Sequence, residues 1–152
     1  AGATQVATLD ADFSHDPAEL PRLFEALSQA NIAVGSRYSG GVRVLNWHPS
    51  RLLLSLFANR YVSAILGLKI ADATSGFRAY RRETLEAIPF GRIRSTGYSF
   101  LVEVLYGLIR KGHTVQEVPI IYTERREGQS KMDRGVILEA VLRPWLLRFR
   151  RM

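Results

Sequence analysis

Cysteine is absent from the 152 residues, which rules out disulfides and thiolate-held metals and fits a reducing compartment without establishing one. Acidic side chains are the minority, 14 against 21 lysines and arginines, and the resulting net charge of +7 and pI near 10.2 favour an anionic partner. Nucleic acid, an anionic membrane surface and phosphorylated substrates all meet that description. Long hydrophobic runs are missing too. A bilayer-spanning helix needs roughly 18 or more consecutive apolar residues, and Arg51, Arg60 and Lys69 interrupt the most apolar stretch. The chain opens on Ala1 with no basic-then-apolar leader, and we read it as a fragment or processed form. It contains no internal repeat or low-complexity tract. An apolar share of 47% with 23% charged residues describes one ordinary core-bearing domain.

The pattern along the chain alternates strands with helices. Val6-Ala7-Thr8-Leu9-Asp10-Ala11-Asp12 reads as a buried strand that ends by presenting two carboxylates. Asp16 and Pro17 open a helix whose apolar face is Leu20, Leu23, Phe24 and Leu27. A short strand over Asn31 to Val34 leads into Gly35-Ser36-Arg37-Tyr38 and the turn Ser39-Gly40-Gly41. Pro49 to Leu66 predicts a long helix stopped by Gly67. Its aliphatic residues surround so much of the circumference that it must be buried on several sides or touch lipid. Then follow a strand near Phe77 to Tyr80, helices near Arg82 to Ala87 and Tyr98 to Lys111, and a strand from Val115 to Tyr122. The tail from Gly135 to Met152 reads as a basic amphipathic helix, bent or interrupted at Pro144. The class is α/β.

Asp10 and Asp12 carry the first chemical signal. Side chains alternate along an extended backbone, so the two carboxylates share one side. Hard oxygen ligands of this kind suit Mg²⁺ or Mn²⁺, which keep several waters and complete their shell with substrate phosphates. A solvated turn would use the same residues. Arg37 after its strand and Arg51 and Arg60 on the long helix are open to the same plain reading, as solvated cations.

Five segments in order resolve the ambiguity: Leu9-Asp10-Ala11-Asp12-Phe13-Ser14-His15-Asp16-Pro17; Gly35-Ser36-Arg37-Tyr38; Asp72-Ala73-Thr74-Ser75-Gly76-Phe77-Arg78; Gly97-Tyr98-Ser99-Phe100 with Glu103; and Glu117-Val118-Pro119-Ile120 followed by Glu124-Arg125-Arg126-Glu127-Gly128-Gln129-Ser130-Lys131-Met132. Together they resemble the dolichol-phosphate mannosyltransferases and polyprenol-phosphate mannose synthases, inverting family-2-type glycosyltransferases, over nearly the whole span from Val6 to Met132.

The resemblance implies the C-terminal portion of a GT-A (Rossmann-like) domain, a mixed sheet flanked by helices. Residues 1–134 would be a partial glycosyltransferase domain and 135–152 a basic helix at a membrane interface. It implies that Asp10 and Asp12, with Ser14 as a third oxygen, hold Mg²⁺ or Mn²⁺ on the diphosphate of GDP-mannose. Asp10, Asp12, Arg37, Asp72 and Ser75 would bind the donor. Arg51, Ser55, Arg125, Ser130 and Lys131 would bind the phosphate of a polyprenyl or dolichyl phosphate. Asp12, Arg37 and Arg125 are the residues nearest the chemistry, mannose transfer with inversion to give a β-linked mannosyl phospholipid. His15 is expected to pack or cap the loop, since a hard cation prefers oxygen. Glu103 would orient a sugar hydroxyl or a neighbouring arginine, and Leu101 stands where the family usually has glutamine.

A lipid acceptor also requires a membrane surface. The aliphatic helix and the Trp-containing tail would supply it at the cytoplasmic face, with arginines near anionic headgroups, or a transmembrane partner subunit would provide the anchor. The resemblance further implies an upstream βαβαβ half that holds base and ribose, and without it this chain is expected to transfer little. Two other functions fit the same composition: a UDP-glucose-dependent polyprenyl-phosphate glucosyltransferase, and a nonenzymatic basic module for membrane or nucleic acid. No basic-aromatic nucleic-acid module is recognisable, so nucleic acid is not expected as a partner.

Overall fold

A computed structural model describes residues 2–124 and 134–150. Strand β1 (Gln5–Thr8) is followed by a 3-10 turn over Pro17–Glu19 and helix α1 (Leu20–Ala26). The predicted helix start holds, because the Asp16 carboxylate accepts the Ala18 N–H at 2.9 Å and Pro17 takes the first position. Strands β2 (Ile32–Ser36) and β3 (Val44–Leu45) precede the long helix α2 (Pro49–Leu66). His48 caps α2, and Gly67 ends it at φ 69°, the left-handed geometry that glycine adopts most readily. Then come β4 (Arg78–Arg81), α3 (Arg82–Glu86), α4 (Gly97–Arg110), β5 (Val115–Pro119), β6 (Tyr122–Thr123) and α5 (Arg134–Phe149).

Among the described residues, four strands form a mixed sheet in the order β1-β4-β2-β5. Strand β4 runs antiparallel to both β1 and β2, while β2 and β5 run parallel. Strands β3 and β6 form a small parallel pair beside it. Side chains of β2 alternate between two cores. Ile32 and Val34 face Val62, Leu66, Leu105, Leu108 and Leu147 from α2, α4 and α5, while Ala33 faces Leu23 of α1 and Leu27 just past its end, with Phe77 and Ile120. Burying each of these leucines contributes about 1.5–3 kcal/mol.

Several sequence expectations change here: the strand expected from Val115 to Tyr122 divides into β5 and β6, because Tyr122 pairs with Val44 of the unexpected β3 instead of with β2. The first strand stops at Thr8 and lies at the sheet edge, so Val6 and Ala7 are half-buried rather than buried. Its ladder ends where Thr8 opposes Arg78, and the Thr8 hydroxyl then donates to the Gly76 carbonyl at 2.9 Å. At the other end of the chain, α5 runs through Pro144 without interruption. Leu147, 2% exposed in the core, and ion pairs from Arg143 and Arg150 to Glu103 hold the helix from outside. Among the described residues, no helix is long and apolar enough to cross a membrane.

Candidate active site

The ends of β1 and β2 meet the start of β4 because β4 opposes both, and β5 finishes beside them with Pro119 opposite Ser36. A crevice outside the carboxyl ends of such strands is where α/β sheets bind ligands.

The acidic loop forms the first wall. Asp10 and Asp12 do not share one side of an extended strand; they lie in a bend beyond it, which Phe13 turns with a φ of 61°. The Asp10 side chain is 54% exposed. Its Oδ1 sits against Gly76, 3.0 Å from the place a Cβ would take there. Ser14 is buried and directs both its N–H, at 3.1 Å, and its hydroxyl onto Asp12 Oδ1. The expected third metal oxygen is thus turned onto Asp12, where it fixes that carboxylate. His15 packs as expected, its ring 5.0 Å from Phe77 and 5.2 Å from Tyr122, with Nδ1 accepting the Asp10 N–H at 3.3 Å. Burial lowers its pKa against the opposing pull of Asp10 and Asp12, which keeps that nitrogen an acceptor.

Two carboxylates, one open to solvent and one oriented by a hydroxyl, make a hard-oxygen donor set that fits Mg²⁺ or Mn²⁺. Among the described residues, no three His, Asp or Glu side chains form a closed cage. The pair therefore suits an ion that takes its remaining ligands from water and phosphate.

Arg37 forms the floor. Its Nε and Nη2 reach the two Asp72 oxygens at 2.7 and 2.6 Å, and Nη2 also donates to the Thr74 hydroxyl at 2.8 Å. Burial alone would depress the Arg37 pKa, but the hydrogen bonds and charge of Asp72 outweigh it and raise it above its ordinary value. Asp72 is fully shielded from solvent, and Ser75 is buried with its hydroxyl donating to the Gly35 carbonyl at 2.6 Å. Both residues are shielded from solvent, so they act on their surroundings through Arg37 and the backbone of the turn. Arg78, wholly buried, ties that turn down by donating to the carbonyls of Ala73, Ser75 and Leu101.

Two further residues brace the turn, Glu117 of the fifth motif and Asn59. Glu117 on β5 accepts the N–H groups of Ala71 and Asp72 at 2.9 and 3.0 Å. Asn59, a buried amide in an otherwise apolar stretch of α2, exchanges hydrogen bonds with Thr74 at 3.1 and 3.2 Å. The polar residue in an apolar helix was the available signal, and Ser55 one turn earlier lies on the same face.

Arg51 stands at the rim, 34% exposed, paired with Glu124 and lying 4.3 Å over the Trp47 ring. Ser55 accepts the Tyr38 hydroxyl at 2.6 Å. Burial pushes the Tyr38 phenol up, which keeps it protonated as that donor. Arg125, Ser130 and Lys131 lie outside the described residues. Glu103 turns toward the end of the chain: Arg143 of α5 and Arg150 just past it contact the carboxylate at 3.4 and 3.0 Å, and Ser95 adds its N–H and hydroxyl. Two arginines of the basic tail thus pair with one buried carboxylate.

Comparison with known proteins places the chain in a family. The chain is 43% identical over 141 residues to an undecaprenyl-phosphate mannosyltransferase of Micrococcus luteus, covering 93% of this chain and 58% of that protein. It is 46% identical over 143 residues to a polyprenol monophosphomannose synthase of Mycolicibacterium smegmatis, covering 93% and 54%. The chain thus spans about half the length of these curated relatives. Among solved structures, it matches glucosyl-3-phosphoglycerate synthase from Mycobacterium tuberculosis with a TM-score of 0.58 at 17% identity, covering 95% of this chain and 50% of that one. One such structure contains Mn²⁺, UDP-glucose and phosphoglyceric acid. This likeness bears out the expected fold, a mixed sheet flanked by helices of the GT-A kind. The model of glycosyl transferase family 2 matches residues 1–88, the segment that holds the acidic loop, Arg37 and the buried Asp72 turn, and the chain belongs to that family.

Proposed function

We propose that this chain supplies the metal and acceptor side of an enzyme that transfers mannose from GDP-mannose to a polyprenyl or dolichyl phosphate with inversion. The observation that carries the reading is the meeting, at one sheet end, of a solvent-open acidic loop with two arginines held in fixed settings. The relatives' names add the sugar and the lipid class.

Asp10 and Asp12 would hold the divalent cation. When bound, the ion offsets the charge of the departing diphosphate. Ser14 keeps Asp12 in place for that task. Arg37 contributes directed N–H groups more than net charge, since Asp72 already balances it. Arg51 offers a guanidinium fork to the acceptor phosphate, with Ser55 on the same helix face and Arg125, Ser130 and Lys131 completing the acceptor set. A phosphate oxygen is anionic near neutrality, so its attack on the anomeric carbon needs no side-chain base. Orientation and charge balance supply the catalysis.

The membrane would meet the apolar side of α2, where Leu53 and Phe57 are 67% and 68% exposed, together with the exposed Leu138, Leu142, Leu146 and Phe149 of α5. Arginine-to-headgroup contacts are no part of this reading for Arg143 and Arg150, which Glu103 engages.

Radiolabelled transfer from GDP-mannose to polyprenyl phosphate by the full-length protein tests the proposal. Transfer should need Mg²⁺ or Mn²⁺ and should disappear in Asp12→Ala. Preference for UDP-glucose, or undiminished transfer by the variant, would overturn it.

A further inference from the structure

We infer that Trp47 is a positioning residue for acceptor recognition: its indole face holds the Arg51 guanidinium so that the donor-bearing edge stays presented to a phosphate monoester. The acceptor part of this inference rests on the functional reading above.

The indole lies between two cations and a ring. The Arg51 Cζ is 4.3 Å from the Trp47 ring, the Arg37 Cζ is 5.7 Å from it, and the Tyr122 ring stands edge-on at 5.4 Å and 81°. The backbone fixes Trp47 on both sides. Asn46 adopts a φ of 64°, turning the chain between β3 and α2, and His48 closes the start of α2 by accepting the Ser50 N–H. The indole Nε1–H is buried with no acceptor among the described residues. Among the described residues no polar contact holds the side chain there, and its ring face is what it offers them.

That face matters because of how a guanidinium binds. All five N–H donors of arginine point outward in the plane of the group, whereas an aromatic ring attracts the cation through its flat face. A carboxylate competes with phosphate for the edge; a ring does not. Glu124 takes Nη1 of Arg51, and without the ring the flexible side chain would be free to fold fully onto that carboxylate. Arg37 differs, because Asp72 already grips it through two nitrogens. Loss of the ring should thus affect Arg51 and leave Arg37 in place.

The test uses the full-length protein, with farnesyl phosphate titrated calorimetrically in the absence of donor, alongside thermal unfolding and GDP-mannose binding. Trp47→Leu should weaken farnesyl phosphate about tenfold and Trp47→Phe about two- to fourfold, phenylalanine being the poorer cation–π partner. Melting temperature and GDP-mannose affinity should stay near wild type, and both effects should vanish in an Arg51→Leu background. If Trp47→Leu does not fold, the phenylalanine variant decides by the same criteria. Unchanged acceptor binding, equal losses in the two variants, or losses that persist without Arg51 would overturn the inference. A wild-type protein that binds farnesyl phosphate in this Trp47-dependent way but transfers no mannose would defeat only the functional reading. Normal transfer with acceptor binding indifferent to Trp47 would defeat only this one.

Discussion

Arg37 and Asp72, 35 positions apart in sequence, meet through two near-parallel bonds of 2.7 and 2.6 Å, with the carboxylate fully shielded from water. The Arg37 backbone N–H adds a third bond to Asp72 at 3.0 Å. The pair welds the end of β2 to the turn before β4, and so sets the floor of the crevice. Removing one member leaves the other charge buried without its partner. Asp72→Ala should therefore cost about 3–5 kcal/mol in denaturant unfolding. Arg37→Lys keeps the charge but loses the fork and should also destabilise; a stability equal to wild type in either variant would contradict this account.

Ser14 should act through Asp12. Ser14→Ala removes the hydroxyl from Asp12 Oδ1 while the backbone N–H bond remains. The Mn²⁺ concentration that supports half-maximal transfer should rise about tenfold, the lower end of what supports behind a metal ligand contribute. Asp12→Ala should abolish transfer at any Mn²⁺ concentration.

Gly76 and Gly35 should respond differently to alanine. At Gly76 the new Cβ meets the Asp10 carboxylate at 3.0 Å, a solvent-open side chain that can swing away. Melting should hardly change, while metal-dependent transfer falls. At Gly35 the Cβ meets Phe77 Cδ1 at 3.1 Å, and Ile120 Cδ1 and the Phe77 carbonyl at 3.2 Å, in a packed core. Overpacking there should cost about 1–3 kcal/mol. Thermal melts of both variants check the contrast.

Helix α5 should loosen in acid. Burial would raise the Glu103 pKa, but hydrogen bonds from Ser95 and Arg94 and the charge of Arg143 outweigh it and hold the group below its ordinary value. A depressed carboxylate stabilises the fold above its unfolded pKa, and that contribution is lost as pH falls through the folded pKa. Protection factors of the α5 amides, taken relative to the intrinsic exchange rate at each pH, should fall as pH drops below the unfolded glutamate pKa near 4.3. Glu103→Gln should show fast exchange already at neutral pH and a weaker dependence on acid.

Leu53 and Phe57 should matter to membrane binding and little to folding, since both point largely into solvent. Leu53→Glu with Phe57→Glu should cut co-sedimentation with anionic vesicles several-fold while the melting temperature moves by about 2 °C or less, as expected for exposed positions. Vesicle binding equal to wild type would remove α2 from the proposed interface.

Local signals were the legible ones. The bounds of α2 followed from Pro49 and Gly67 because a helix start and a left-handed stop are set by neighbouring residues. The cap at Asp16 was legible for the same reason. The length of β1 was not, because its ladder ends where β4 stops pairing, some seventy residues later in the chain. Asp72 and Arg37 were each recognised, but as separate ligands; their union depends on the sheet bringing them together.

The sequence by itself determined the alternation of the main strands and helices, the acidic pair and the excess of arginines, while the short strand β3 and the break between β5 and β6 came only with the fold. Tertiary structure alone decided which arginines pair with buried carboxylates. Asp72 takes Arg37, and Glu103 takes Arg143 and Arg150 from 40 and 47 positions away. Arg51 was left at the rim on the face of Trp47. A guanidinium has the same chemistry wherever it stands in a chain. Whether it faces a buried carboxylate or an incoming phosphate depends on which segments pack beside it, and long-range packing sets that.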